Sequence, residues 1–207
     1  MNKASASTRK LTYCALFAAI ATALMYFEFP IPFMPPFLKV DISGVVSLLA
    51  AFMFGWAPAV MITLVKDIIH TFSSTSGGVG QVADFLMISA FSIVASYFYR
   101  KVHTKKGAVV GLAFGTVAMT IIGVITNKYM LIPFYSKVMP IDAIFSACAA
   151  VNPMIDGLNS YLIFGVIPFN LLKAILLSVL TMLLYKRLSV LIKSGTVKDS
   201  PLTKDKK

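Results

Sequence analysis

Arg100-Lys101-Val102-His103-Thr104-Lys105-Lys106 stands between two long apolar runs, residues 81–99 and 108–132, and its reading decides how the chain is laid out. A helix that crosses the hydrocarbon core of a bilayer needs about 20 mainly apolar residues. Lys and Arg beside such helices are retained on the cytoplasmic side, so this four-positive loop marks the inner face. Working outward, runs at 11–27, 42–54, 57–72 and 168–192 supply four more helices. With six spans, the amino arm carrying Lys3, Arg9 and Lys10 and the seven-positive tail from Lys186 both join the 100–106 loop inside. That places 14 of the 19 Lys and Arg in the cytoplasm. Residues 134–167 hold two further apolar stretches, 141–151 and 158–166, interrupted by Asn152-Pro153 and Asp156-Gly157. A seventh span there would carry the basic tail outside, so the segment reads as external. The expected fold is all-α: a polytopic membrane protein, a six-transmembrane-helix bundle with N and C termini cytoplasmic. Residues 1–10 form a cytoplasmic arm, 11–192 a single membrane domain and 193–207 a basic cytoplasmic tail.

Composition agrees. Of 207 residues, 58% are hydrophobic and only 13% charged, against roughly 25% charged in soluble domains. The net charge of +11 does not signal nucleic acid, because the positives cap apolar segments instead of forming a basic stripe with interleaved aromatics. The run 11–27 lacks a cleavage site and reads as a retained span. Cys14 and Cys148 lie in apolar stretches without metal-ligand spacing and read as small core residues, with no disulfide, redox or metal role. No nucleophile elbow, zinc-protease pair or nucleotide-binding glycine loop occurs, so the chain reads as a non-enzyme that would need other subunits for any ATP-driven work. No internal repeat of the transporter kind is present.

The informative residues are polar groups where lipid makes them costly. Pro30-Ile31-Pro32-Phe33-Met34-Pro35-Pro36 is an ordered, non-helical loop. It leads to Lys39, Asp41 and Ser43, with Asp41 as N-cap of the second helix. Gly55-Trp56-Ala57-Pro58 and the 73–80 stretch read as turns. Lys66-Asp67, Asp84, Asn127-Lys128-Tyr129, and Asn170 with Lys173 three residues on, all fall toward the outer helix ends. Together they suggest a pocket open to the outside, lidded by the proline-rich loop and 134–167. Lys39 and Lys128 also read as ordinary interfacial anchors, and Lys66, Asp67 and Asp84 either pair structurally or line the pocket. His70 reads as a packing residue and His103 as solvated. Ala15, Ala19 and Ala23 form a small-residue ridge that either packs inside the bundle or docks a partner helix.

At these residues the sequence resembles the riboflavin-specific S components of energy-coupling factor (ECF) transporters. The likeness lies in the alanine ridge, in Leu38-Lys39-Val40-Asp41-Ile42-Ser43, in Asn127, and above all in Ile167-Pro168-Phe169-Asn170-Leu171-Leu172-Lys173. It extends over residues 10–192. The resemblance implies a high-affinity riboflavin-binding membrane subunit for vitamin uptake in the bacterial cell membrane, with no cofactor beyond the transported vitamin. It implies an ECF T component and two cytoplasmic ATPase subunits as partners, with Ala15 and Ala19 at the T-component contact. It implies ligand contacts from Lys39, Val40, Asp41, Ser43, Gly44, Asn127, Asn170 and Lys173, the last three to the isoalloxazine edge or ribityl hydroxyls. Other readings are an S component for another vitamin, a lone small-solute facilitator, or a structural membrane protein. The structural reading expects Asn127→Ala and Lys173→Ala to be tolerated.

Overall fold

Residues 3–32, 34–35, 37–74 and 76–191 are described by the computed structural model. The chain runs α1 (Lys3–Met25), α2 (Gly44–Phe54), α3 (Trp56–Thr71), α4 (Val79–Lys101), α5 (Lys105–Thr126), α6 (Ile141–Val151) and α7 (Ile167–Leu191). The proline-rich loop is closed at its base by a two-residue antiparallel pair, Phe29 opposite Val40 and Pro30 opposite Lys39. Among the described residues three helical stretches are long and apolar enough to cross a membrane: Val79–Lys101, Lys105–Tyr135 and Leu158–Tyr185.

Local chemistry sets the joints. Thr104 caps α5 by accepting the Gly107 N–H. Gly55, at φ 97°, turns the chain between α2 and α3 in a region that disfavours a side chain. The backbones of α4 and α5 approach closely because Gly111 has no side chain; a Cβ there would lie 2.6 Å from the Ala95 carbonyl oxygen. α2 is buried on nearly every side. Its 11 residues extend about 16 Å, roughly half of a bilayer core. The segment that leads into it lies among the helix interiors, with Leu38, Val40, Asp41 and Ser43 all buried.

Several boundaries differ from the sequence expectation. α5 does not stop at Pro133, nor does the last helix start at Pro168. α5 widens into a π turn at Asn127–Leu131 and continues as Ile132–Tyr135; the last helix begins at Leu158–Ser160, widens at Tyr161–Val166 and runs on as α7. Each proline follows its π turn by two residues. Proline removes an N–H from the helical ladder, and the wider turn absorbs that irregularity without ending the helix. The expected external segment 134–167 therefore shortens to 136–157, and the whole of its first apolar stretch, 141–151, forms α6. α2 begins at Gly44, two residues later than expected, and Asp41 accepts the Ser43 amide at 2.9 Å instead of capping the next turn. α1 begins at Lys3, so the amino arm continues the helix. His103 is half-buried with its ring edge-on to Tyr99. The basic tail 193–207 lies outside the described residues.

Three apolar clusters form the interior. One joins α2, α4, α5 and α7 around Leu48, Phe52, Ile88, Phe91, Met119 and Leu177. A second gathers Leu38 and Val40 of the loop with Ile144, Cys148, Ile155, Tyr161 and Phe169. The proline-rich loop, α6 and the start of the last helix thus pack as one lid. The third is alanine-rich, with Ala18, Ala21, Ala50, Ala51 and Ala59 joining α1 to α2 and α3. On α7, Phe169 belongs to the lid cluster and Leu177 to the first. Lys173 stands between them.

Candidate functional site

The cavity at that level has a volume of about 230 Å³. Its walls come from the end of α1, the proline-rich loop, the α3–α4 connection, α4, the π turn of α5, and α7.

A chain of buried ion pairs runs along one wall. Lys173 Nζ donates to Asp41 Oδ2 at 3.0 Å and to Asp84 Oδ1 at 2.7 Å. Asp84 Oδ2 in turn accepts from Lys66 Nζ at 2.6 Å, and Lys66 also reaches Asp67 Oδ1 at 2.7 Å. All five side chains are buried. Charges so placed persist only when paired, and each lysine here has two carboxylates. Asp41 is oriented from its other oxygen, which accepts from both the backbone and the hydroxyl of Ser43. Lys66, Asp67 and Asp84 thus do both things the sequence left open: they pair, and Asp84 also lines the cavity.

Two asparagines face this wall. Asn127 Nδ2 donates to the Gly123 carbonyl at 2.8 Å, and its Oδ1 accepts from the Tyr161 hydroxyl at 2.7 Å. The hydrogen bond joins the two π turns, one to the other. Asn170 Nδ2 donates to the Val166 carbonyl at 2.9 Å. Among the described residues its buried Oδ1 has no partner, and it is an acceptor ready for a ligand N–H or O–H. The asparagine sits against Gly123, where a Cβ would come within 2.5 Å of Nδ2.

The mouth is more exposed. Lys39 pairs there with Glu28, both side chains about one-third accessible. Ser74 donates to Gln81 at 2.7 Å, and the Gln81 side-chain nitrogen meets His70 Nδ1 at 3.0 Å. Phe37, Met87, Leu131, Tyr135 and Phe169 supply apolar surface.

Of the residues expected from sequence, Lys39, Asp41, Asn127, Asn170 and Lys173 line the cavity together. Val40, Ser43 and Gly44 stand behind its wall. Val40 packs in the lid cluster, Ser43 bonds to Asp41, and Gly44 lies under Ile88 and Leu177. Lys128 and Tyr129 point outward, the ammonium 5.4 Å from the ring centroid. Sequence reasoning missed Ser74 and Ser76, hidden in what read as a plain turn, and Gln81 at the head of the helix that follows. It also missed Tyr161, whose hydroxyl in an apolar run is itself a request for a partner. Ala15, Ala19 and Ala23 are all exposed on α1, while Ala18 and Ala21 face the bundle. The ridge lies on the outer face. Among the described residues no cluster of His, Cys, Asp and Glu is arranged to hold a metal ion.

The profile of the ECF transporter substrate-specific component matches residues 9–185. The riboflavin transporter RibU of Staphylococcus aureus is 34% identical over 185 residues, covering 89% of this chain and 93% of its own. The chain belongs to the ECF transporter substrate-specific components. Another relative of this S component is the riboflavin transporter FmnP of Bacillus subtilis, 28% identical over 183 residues, with 87% and 92% of the two chains covered. A solved structure of the S component of a bacterial ECF transporter superposes with a TM-score of 0.73 at 33% identity, over 90% of this chain and 99% of that one. The S component is an integral membrane protein of helical-bundle type and a transport subunit, not an enzyme.

Proposed function

We infer that this S component captures riboflavin and mediates its uptake through an ECF transporter. The observation that carries this is the composition of the cavity: apolar rings and methionine facing a small set of directional polar groups. Riboflavin has a flat apolar ring system, an imide edge and a polyhydroxyl tail, and pockets for such ligands combine apolar walls with a few fixed polar contacts. Asn170 Oδ1 is free to accept from the imide or a hydroxyl. Lys173, Asp41 and Asn127 supply the remaining contacts, with Lys39 at the mouth. Val40, Ser43 and Gly44 hold the wall in place.

In this reading α1, α2, α3, α4, α5 and α7 cross the bacterial cell membrane, both termini are cytoplasmic, and the loop with α6 lies outside. Residues 11–192 form one membrane domain between the arm 1–10 and the tail 193–207. The cavity, about 230 Å³, is smaller than the roughly 300–1,000 Å³ usual for ligand pockets. Energy comes from a T component and two cytoplasmic ATPase subunits.

Protein purified in mild detergent is expected to carry flavin absorbance that is released on denaturation, and ligand-free protein to quench added riboflavin fluorescence. A colourless preparation that leaves the fluorescence unchanged would overturn the assignment. A second outcome follows from the close contact of Gly123 with Asn170. Gly123→Val displaces the asparagine, and riboflavin affinity is expected to fall roughly tenfold or more, the effect of losing one or two directed hydrogen bonds. Fluorescence titration measures it; wild-type affinity in that variant would remove Asn170 from the site.

A further inference from the structure

Between α5 and α7, on the half of the bundle away from the cavity, the surface is hollowed into an apolar groove of about 590 Å³. Leu112, Thr116 and Ser178 form its floor, and Val109, Ile175 and Val179 are exposed along its rims. The floor is low because Ser178 is small, and its enclosed hydroxyl finds no partner among the described residues. From Val109 to Thr116 the trough runs about 10 Å at 1.5 Å per residue.

One end of the trough is basic. Lys105 and Lys106 are exposed and lie four and three residues before Val109, hence on its face of α5 one turn further out. α7 runs antiparallel to α5 along the groove. An apolar trough ending beside cations fits a molecule with a long hydrocarbon chain and an anionic head. A gap between two neighbouring packed helices admits such a chain, whereas a partner helix is about 10–12 Å across.

We propose that this groove is a specific site for an anionic phospholipid, with one acyl chain between Val109 and Ile175 and the phosphate at Lys105 and Lys106. The site is separate from the riboflavin cavity and does not depend on it.

The test is native mass spectrometry of the detergent-purified chain, titrated with phosphatidylglycerol or with phosphatidylcholine of the same acyl chains. Phosphatidylglycerol is expected to bind about tenfold more tightly, the gain that Lys side chains near an anionic head provide. Lys105→Gln with Lys106→Gln should erase that difference while leaving phosphatidylcholine binding unchanged. Ser178→Phe should fill the trough and weaken both lipids about tenfold or more. Riboflavin quenching reports folding of every variant; if Ser178→Phe loses it, Ala113→Phe, on the groove's exposed side, is read by the same criterion. Equal affinity of the wild type for the two lipids would overturn the proposal. So would undiminished phosphatidylglycerol binding by a folded, groove-filled variant.

Discussion

Lys173→Met is expected to weaken riboflavin binding by roughly a hundredfold or more, and to lower thermal stability as well. Among the described residues Lys173 is the only cation bonded to Asp41 and one of two bonded to Asp84. Removing one partner of a buried pair leaves an uncompensated charge, at a cost of about 3–5 kcal/mol. The double variant Asp41→Asn, Lys173→Met separates the two roles, because it removes a positive and a negative charge together. Stability should largely return in the double variant, while binding should stay lost if the ammonium touches the ligand. Fluorescence titration and thermal unfolding give both readings. Recovery of binding along with stability would make Lys173 a structural residue only.

The second large effect concerns uptake alone. Ala15→Trp and Ala19→Trp should abolish riboflavin accumulation by cells while leaving the affinity of the purified chain within about twofold. Both alanines are exposed on α1, whereas Ala18 and Ala21 pack against α2 and α3. A small-residue ridge permits close helix approach in lipid, and a bulky ring there prevents it. Co-purification of the tagged variants with the other transporter subunits shows whether the contact is lost. Accumulation at the wild-type rate would remove the ridge from the partner interface. A parallel loss of riboflavin affinity would show that the substitution disturbs the bundle instead.

The contrast between these two sites explains what the sequence could reveal. Lys173, Asn170, Asn127 and Asp41 stand out because polar groups in apolar runs are costly and need a reason. The direction of the α1 ridge does not stand out. Alanines occur on both its buried and its exposed sides, at 18 and 21 as well as at 15, 19 and 23, so no polarity contrast marks either face. The pairing of Lys66 with both Asp67 and Asp84 needed the packing of α3 against α4. Gln81 was illegible for a related reason: one amide at the head of a helix looks like any solvated terminus until its partners, His70 and Ser74, are known. The helix boundaries at Pro133 and Pro168 misled because proline was read as punctuation, while each π turn lets the helix run through it.

Those two π turns have a consequence for descent. Over the same rise along the axis, such a turn holds one residue more than an α turn, so it is the mark that a single-residue insertion leaves in a helix that survives it. The wide turn takes up the extra residue, so the side chains beyond it keep the faces they would have without the insertion. Asn127 opens one of these turns and Tyr161 the other, and the two side chains bond to each other. A relative that lacks either extra residue would keep the bundle and the faces of the helix beyond, and would differ within the turn itself, where Asn127 and Tyr161 meet. Gaps of one residue near 127–131 and 161–166, not substitutions alone, are where binding specificity in such relatives is expected to diverge.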